Sequence, residues 1–365
     1  MFKRMFVALV ALLCVVGEMS GTEWGVVGYR ADSEYIRWVG RTAKTPEGAV
    51  QFDWSGTYAD IVLCGSLLEM RASDSGLNYF NVIVDGKQHS IVKTEGKEPQ
   101  NVVLFEGEKG TYHIRLQRRT EGFNGLTTVY SFETDGELIV EPNNAPKRHI
   151  EFIGDSLTAG YGTDSASGSE PYTAETQNCN LAYGCYIARY FNADYNLVAH
   201  SGQGVVRNYG DEKTTSDYTM LDRYGLLFDE ADRERCYDFE ASAYTPDLVV
   251  IFLGTNDYST QPFPSFEEYS KGYAELVEQV RAAHGEQVPI LCISSYVFEP
   301  TFEYVWRIAQ SDEKLHFACI LPEAFARPSE LGASEHPNRV GQQKMAMMLI
   351  PYVSTITGWE VRNDM

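Results

Sequence analysis

Basic residues are scarce in this chain. Its 30 lysines and arginines stand against 51 aspartates and glutamates, a formal net charge of -21. Nucleic acid and anionic membrane surfaces are gripped through basic patches, so the deficit argues against both as partners. An uncharged or cationic substrate fits it better. Cysteine is sparse too: beyond residue 21 there are Cys64, Cys179, Cys185, Cys236, Cys292 and Cys319, and none has the paired spacing of a metal site. Cys292 and Cys319 lie in apolar runs and read as buried hydrophobes, while Cys179 and Cys185 are the one local pair that an oxidising compartment could join. The histidines are scattered and form no His-Glu-x-x-His. No metal and no cofactor is expected.

Long apolar runs are missing as well. Residues 5–16, behind Lys3 and Arg4, are continuously apolar, but a bilayer span needs about 20 residues. The length suits a signal-peptide core. Residues 1–21 therefore read as a leader and the protein as exported, periplasmic or secreted, with no membrane insertion after leader removal. Leu13 is too bulky to precede a lipid-bearing Cys14. A monomer is expected.

What the chain does have is enough apolar residue, 44% with 13% aromatic, to bury the cores of two domains. Residues 22–145 lack any helix-length periodicity. Short runs rich in Val, Ile, Tyr and Phe alternate with turn residues, and Asp85-Gly86 and Asp135-Gly136 are hairpin signals. This predicts a β-sandwich or jelly roll. Two prolines bracket a linker at 142–146. After it, over 146–360, strand and helix alternate: strands at 149–153, 195–199, 247–253, 288–294 and 315–321, and helices at 181–191, 265–284 and from Asn338 to about 349. The run at 247–253 is apolar throughout, as in a parallel strand covered on both faces. The pattern predicts a three-layer α/β/α domain.

The stretch Gly154-Asp155-Ser156-Leu157 follows the first of these strands, where a serine hydroxyl can stand at a strand end before a helix N-terminus. Ser201-Gly202-Gln203-Gly204 follows the second strand, Gly254-Thr255-Asn256-Asp257 follows the third, and His336-Pro337-Asn338 precedes the last helix. Taken singly, each is an ordinary turn, an Asx-turn or a helix cap. In a parallel sheet all four gather on one edge, and in that order they offer a nucleophile, backbone and amide donors, and a base. His200 is a rival base whose strand-end position suggests a packed residue instead.

These four blocks resemble the SGNH (GDSL-type) hydrolase superfamily, over about residues 147–359. With a β-sandwich in front and the Ser-Gly-Gln-Gly and His-Pro-Asn forms of the second and last blocks, the chain is most similar to carbohydrate esterase family 2, the acetyl xylan esterases. The resemblance implies removal of O-acetyl groups from plant polysaccharide (xylan, mannan or glucomannan), with Ser156 as nucleophile and His336 as base. The oxyanion would be held by the Ser156 N–H, the Gly202 N–H (Gly204 being the alternative) and the Asn256 amide. Tyr161, Tyr172 and Tyr209 could line a sugar platform beside the polar loop at 164–177. A lipid or acyl-thioester hydrolase on the same frame, or an inactive carbohydrate-binding protein, are the competing readings. Most SGNH hydrolases carry an aspartate three residues before the histidine, and here that position is Ala333. Glu335 neighbours His336 but faces the other way in an extended loop. A Ser156–His336 dyad, with a backbone carbonyl on Nδ1, is therefore expected.

Overall fold

A computed structural model describes residues 25–140, 145–242, 244–295 and 300–362. The leader read at 1–21 and most of the linker lie outside them. The first half is a ten-stranded antiparallel sheet wrapped into a sandwich. Two of its strands, Tyr58–Asp74 and Gln100–Arg118, are much longer than the short strands expected, and they pair with each other along most of their length. Register shifts between Gly65 and Leu67 and between Leu68 and Glu69 bend the pair. Before the bend Ile61 and Leu63 are buried; after it Leu68, Met70 and Ala72 are, all in one core. An extra residue switches which face points inward, so one strand serves both layers.

Asp85-Gly86 forms the expected hairpin, both residues with positive φ between Val84 and its partner Lys87. Asp135-Gly136 does not. Thr134 pairs with Leu68 and Glu137 with Cys64, so the chain continues along the same long strand rather than reversing. Asp135 instead accepts the N–H groups of Ser66 and Leu67 at 2.9 and 3.0 Å and pins the bend. A side chain on Gly136 would meet the Cys64 carbonyl oxygen at 2.0 Å. The dipeptide has turn chemistry, spent here on a bulge.

The second half is a five-stranded parallel sheet in the order Ala193–Ala199, Arg148–Gly154, Leu248–Phe252, Ile290–Ser295, Leu315–Ile320. Helices Tyr183–Phe191 and Arg339–Thr357 cover one face and Phe266–His284 and Thr301–Ala309 the other. Ser265 and Glu268 make the expected capping box. Three differences from expectation are local. Residues 179–181 form a separate 3₁₀ turn ahead of Tyr183–Phe191. Thr301–Ala309 is an unanticipated helix. The last helix runs to Thr357, because Pro351 lies on its exposed side while Val353 continues the buried face. No helix among the described residues is long and apolar enough to cross a membrane.

The two sheets meet through buried polar groups. Asp53 accepts the N–H groups of Asp229, Glu230 and Ala231 at 2.7, 2.9 and 2.9 Å. Arg41, 1% exposed, donates to the carbonyls of Tyr224 and Leu226. Its guanidinium lies over the rings of Trp54, Tyr224, Tyr237 and Phe239, with the Glu151 carboxylate 3.8 Å away. Removing one member of a buried charge pair typically costs about 3–5 kcal/mol. Arg41→Ala should lower the unfolding free energy by about that much, read from urea denaturation. An unchanged midpoint would mean that this contact contributes nothing to the seam.

Candidate active site

Ser156 opens the short helix Ser156–Ala159 directly after the strand Arg148–Gly154. That strand has neighbours on both sides from opposite directions of chain progression, which places Ser156 at the topological switch point where α/β sheets form ligand crevices. Asp155 caps the helix, its Oδ1 accepting the Leu157 N–H at 3.0 Å. As the first helical residue, Ser156 has no intrahelical acceptor for its own N–H, and none is found among the described residues. Burial, opposed by the Leu157 bond and reinforced by Asp257 and Glu121, pushes the Asp155 carboxyl up to about 7.

His336 comes to this turn from the loop before the last helix. Its Nε2 lies 2.9 Å from Ser156 Oγ, and its Nδ1 lies 3.1 Å from the Ser334 carbonyl oxygen. Ser334 and Glu335 both have left-handed backbone, φ 53° and 61°, a conformation costly for residues with a Cβ. Their N–H groups are anchored to the carbonyls of Glu170 and Gly168 at 2.8 and 3.1 Å. This curled segment turns the Ser334 carbonyl back toward the imidazole. Ala333 is fully buried, its N–H bonded to the Gly162 carbonyl, and a Cβ on Gly162 would meet the Ala333 Cβ at 2.5 Å. The Glu335 side chain is exposed. Burial pulls the His336 pKa below 6.5, with the backbone contacts to Ser334 and Ala333 working against it.

Gly202 and Asn256 lie on the adjoining loops. Gly202 has φ 80°, and its N–H has no acceptor among the described residues, whereas the Gly204 N–H is bonded to Asn208 Oδ1 at 3.2 Å. A side chain on Gly204 would meet the Arg207 carbonyl oxygen at 2.0 Å and the Asp257 carboxylate at 2.5 Å. Asp257 accepts the N–H groups of Val205, Val206 and Arg207 and builds that loop. Asn256 donates through Nδ2 to the Gln203 carbonyl at 2.8 Å and, in a longer contact, to Asp155 Oδ2 at 3.1 Å.

Tyr161 packs 4.5 Å from the His336 ring and stacks on Tyr172 at 4.1 Å, with interplanar angle 19°. Tyr209 is 67% exposed and sits beside Gly202. His200 is packed as expected: Asp229 lies 2.8 Å from its Nδ1. Burial opposes its charging, but Asp229 outweighs this and holds the ring above its ordinary pKa, which is poor for a base. His200, Asp229 and Glu230 approach within 4.8 Å, yet Arg223 donates to Asp229 Oδ1 and Glu230 Oε1 at 2.7 and 2.6 Å. A guanidinium stands where a cation would, so the cluster does not suit a metal. Cys179 and Cys185 are buried free thiols rather than a disulfide, and Cys179 Sγ donates to the Arg118 carbonyl at 3.1 Å.

Sequence reasoning missed the contribution of the sandwich. The loop after its strand Gln100–Arg118 brings Glu121 onto Ser201 and Phe123 onto Tyr172 and His200, with ring centroids 6.0 and 5.7 Å apart. Nothing in Glu121-Gly122-Phe123-Asn124 marks it as more than a turn.

The GDSL-like lipase/acylhydrolase family model matches residues 152–344, and the carbohydrate esterase 2 N-terminal model matches residues 38–142. The chain is 28% identical to the cellulase/esterase CelE of Acetivibrio thermocellus over 90% of this chain and 40% of that one, so it spans less than half of that relative. It is also 28% identical to an acetylxylan esterase / glucomannan deacetylase of Cellvibrio japonicus, covering 84% of this chain and 86% of the other. The structure of a family two carbohydrate esterase from Clostridium thermocellum in complex with cellohexaose matches with TM-score 0.81 and 28% identity, over 89% of this chain and 100% of that one. Sheet order, strand-end loops and both matched regions agree: the chain belongs to the GDSL-like lipase/acylhydrolase family, and it carries the carbohydrate esterase 2 N-terminal domain in front.

Proposed function

We propose that this protein is an exported, monomeric serine esterase that removes O-acetyl groups from plant cell-wall polysaccharide, acetylated xylan, mannan or glucomannan. The observation that carries the reading is the relay from Ser156 Oγ through His336 to the Ser334 carbonyl. With Nδ1 protonated and donating to that carbonyl, Nε2 is left unprotonated and accepts the serine proton as Oγ attacks the acetyl carbonyl. The Ser156 and Gly202 N–H groups receive the oxyanion, joined by Asn256 as it gives up its longer bond to Asp155. Gly202 is favoured over Gly204 because the Gly204 N–H is already committed to Asn208. His336 then protonates the departing sugar oxygen, and water repeats the sequence on the acetyl-enzyme. Tyr161, Tyr172 and Tyr209 flank the dyad as sugar contacts, and no cofactor takes part. The acetylxylan esterase relative supports the substrate class.

Ser156→Ala should abolish acetate release while leaving the melting temperature close to wild type; turnover by the folded variant would remove serine from the mechanism. Rates should fall steeply from acetyl to butyryl and longer aryl esters. A preference for octanoyl esters would move the assignment to lipids.

The dyad has its own signature. Glu335→Gln and Ser334→Ala should each cost no more than about tenfold in kcat/KM, roughly 1.4 kcal/mol of barrier, against the ~10⁴ typical of losing a triad acid. A larger loss would name that side chain as the orienter. The base must be neutral to accept a proton, and burial lowers its pKa. The acidic limb of kcat/KM should therefore have its midpoint below 6.5, and activity should be flat through neutrality. A midpoint above 7 would imply a carboxylate holding the imidazolium.

A further inference from the structure

We propose that Glu121, delivered by the sandwich, is the positioning residue of the oxyanion site. The inference rests on the esterase reading above. Glu121 is fully buried. Its Oε1 accepts the Ser201 N–H at 2.5 Å, and its Oε2 accepts the Ser201 hydroxyl at 2.7 Å and Gln177 Nε2 at 2.8 Å. The same Gln177 nitrogen donates to the Ala159 carbonyl at the end of the nucleophile helix, 3.3 Å away. One carboxylate thus ties the loop that carries Gly202 to the helix that carries Ser156.

Gly202 needs such a tether. It has φ 80°, and the nearest atom to the place a Cβ would take is 3.9 Å away, so its peptide can swing unless its neighbours are fixed. The carbonyl side is held by the Tyr209 N–H at 2.9 Å. On the amino side Ser201 is held at both N and Oγ, in each case by Glu121. Oxyanion donors are effective when they are aimed before charge develops, and this pair of bonds does the aiming.

The role is geometric and not electrostatic. A carboxylate close to a developing oxyanion opposes it, and burying the carboxylate is itself costly. An uncharged side chain of equal length should therefore serve, and a shorter acid should not. Glu121→Gln keeps an acceptor for the Ser201 N–H and can donate to the Ser201 hydroxyl, giving up only the bond from Gln177 Nε2, and should retain kcat within about tenfold. Glu121→Asp and Glu121→Ala should lose about 10²-fold, the scale of one oxyanion donor, with KM within about threefold of wild type. Acetyl-ester kinetics on the full chain, with melting curves and near-ultraviolet dichroism, provide the test. Glu121→Asp stands in should the alanine variant fail to fold. Folded Asp or Ala variants with kcat within about twofold of wild type would overturn the positioning role alone. So would a fall in melting temperature with kcat unchanged, the pattern of a merely structural residue. A wild-type chain that releases no acetate overturns the esterase reading and this role together.

Discussion

The sheet edge that carries Ser156 hangs from a buried polar seam. Arg41, Asp53, Arg119 and Glu121 all reach from the sandwich and are nearly or fully buried. Each unpaired charge there would cost several kcal/mol, so the partners are fixed in place. Arg119 alone holds the carbonyls of Gln177 and Glu175 and the Asp164 carboxylate at 2.9, 2.8 and 2.7 Å. These partners lie on the loop at 164–177, whose Gln177 amide also bonds the Ala159 carbonyl at the end of the Ser156 helix. The sandwich therefore orders the candidate site from outside the sheet that bears it.

Within that frame, the contact between Ser156 and His336 is set by backbone. Where a carboxylate would occupy the position three before the histidine, Ala333 is packed against Gly162. Two consecutive left-handed residues bring a main-chain carbonyl to the ring instead. A carbonyl selects the same tautomer as a carboxylate but stabilises the imidazolium less. Burial works in the same direction, keeping His336 neutral. An imidazole held below its ordinary pKa in this way is uncharged at neutral pH.

The aromatic surroundings are asymmetric. Tyr161 and Tyr172 form a stacked pair against His336, extended by Phe123 from the sandwich, while Tyr209 stands exposed beside Gly202. Flat rings around an uncharged serine and histidine suit an uncharged sugar chain, and the strongly acidic chain does nothing to attract a polyanion.

The linear chain determined the order of sandwich and α/β/α layers, because periodicity of two and of three to four residues is a local property. It also determined Ser156, Gly202, Asn256 and His336 as a group, because parallel strands bring their following loops to one edge whatever their separation in sequence. Tertiary structure decided the rest. Asp135-Gly136 has the chemistry of a hairpin turn, but its pairing depended on a bend in a strand about 70 residues earlier. Local pattern could not see that the short runs at 61–63 and 102–105 belonged to two long strands, since bulges reverse the inward face midway. The Ser334 carbonyl became the histidine's partner only because Gly168 and Glu170 hold its loop in a left-handed curl. Glu121 became part of the site only because two domains closed over it. A buried carboxylate far away in sequence carries no local signature, and only packing reveals which backbone it holds.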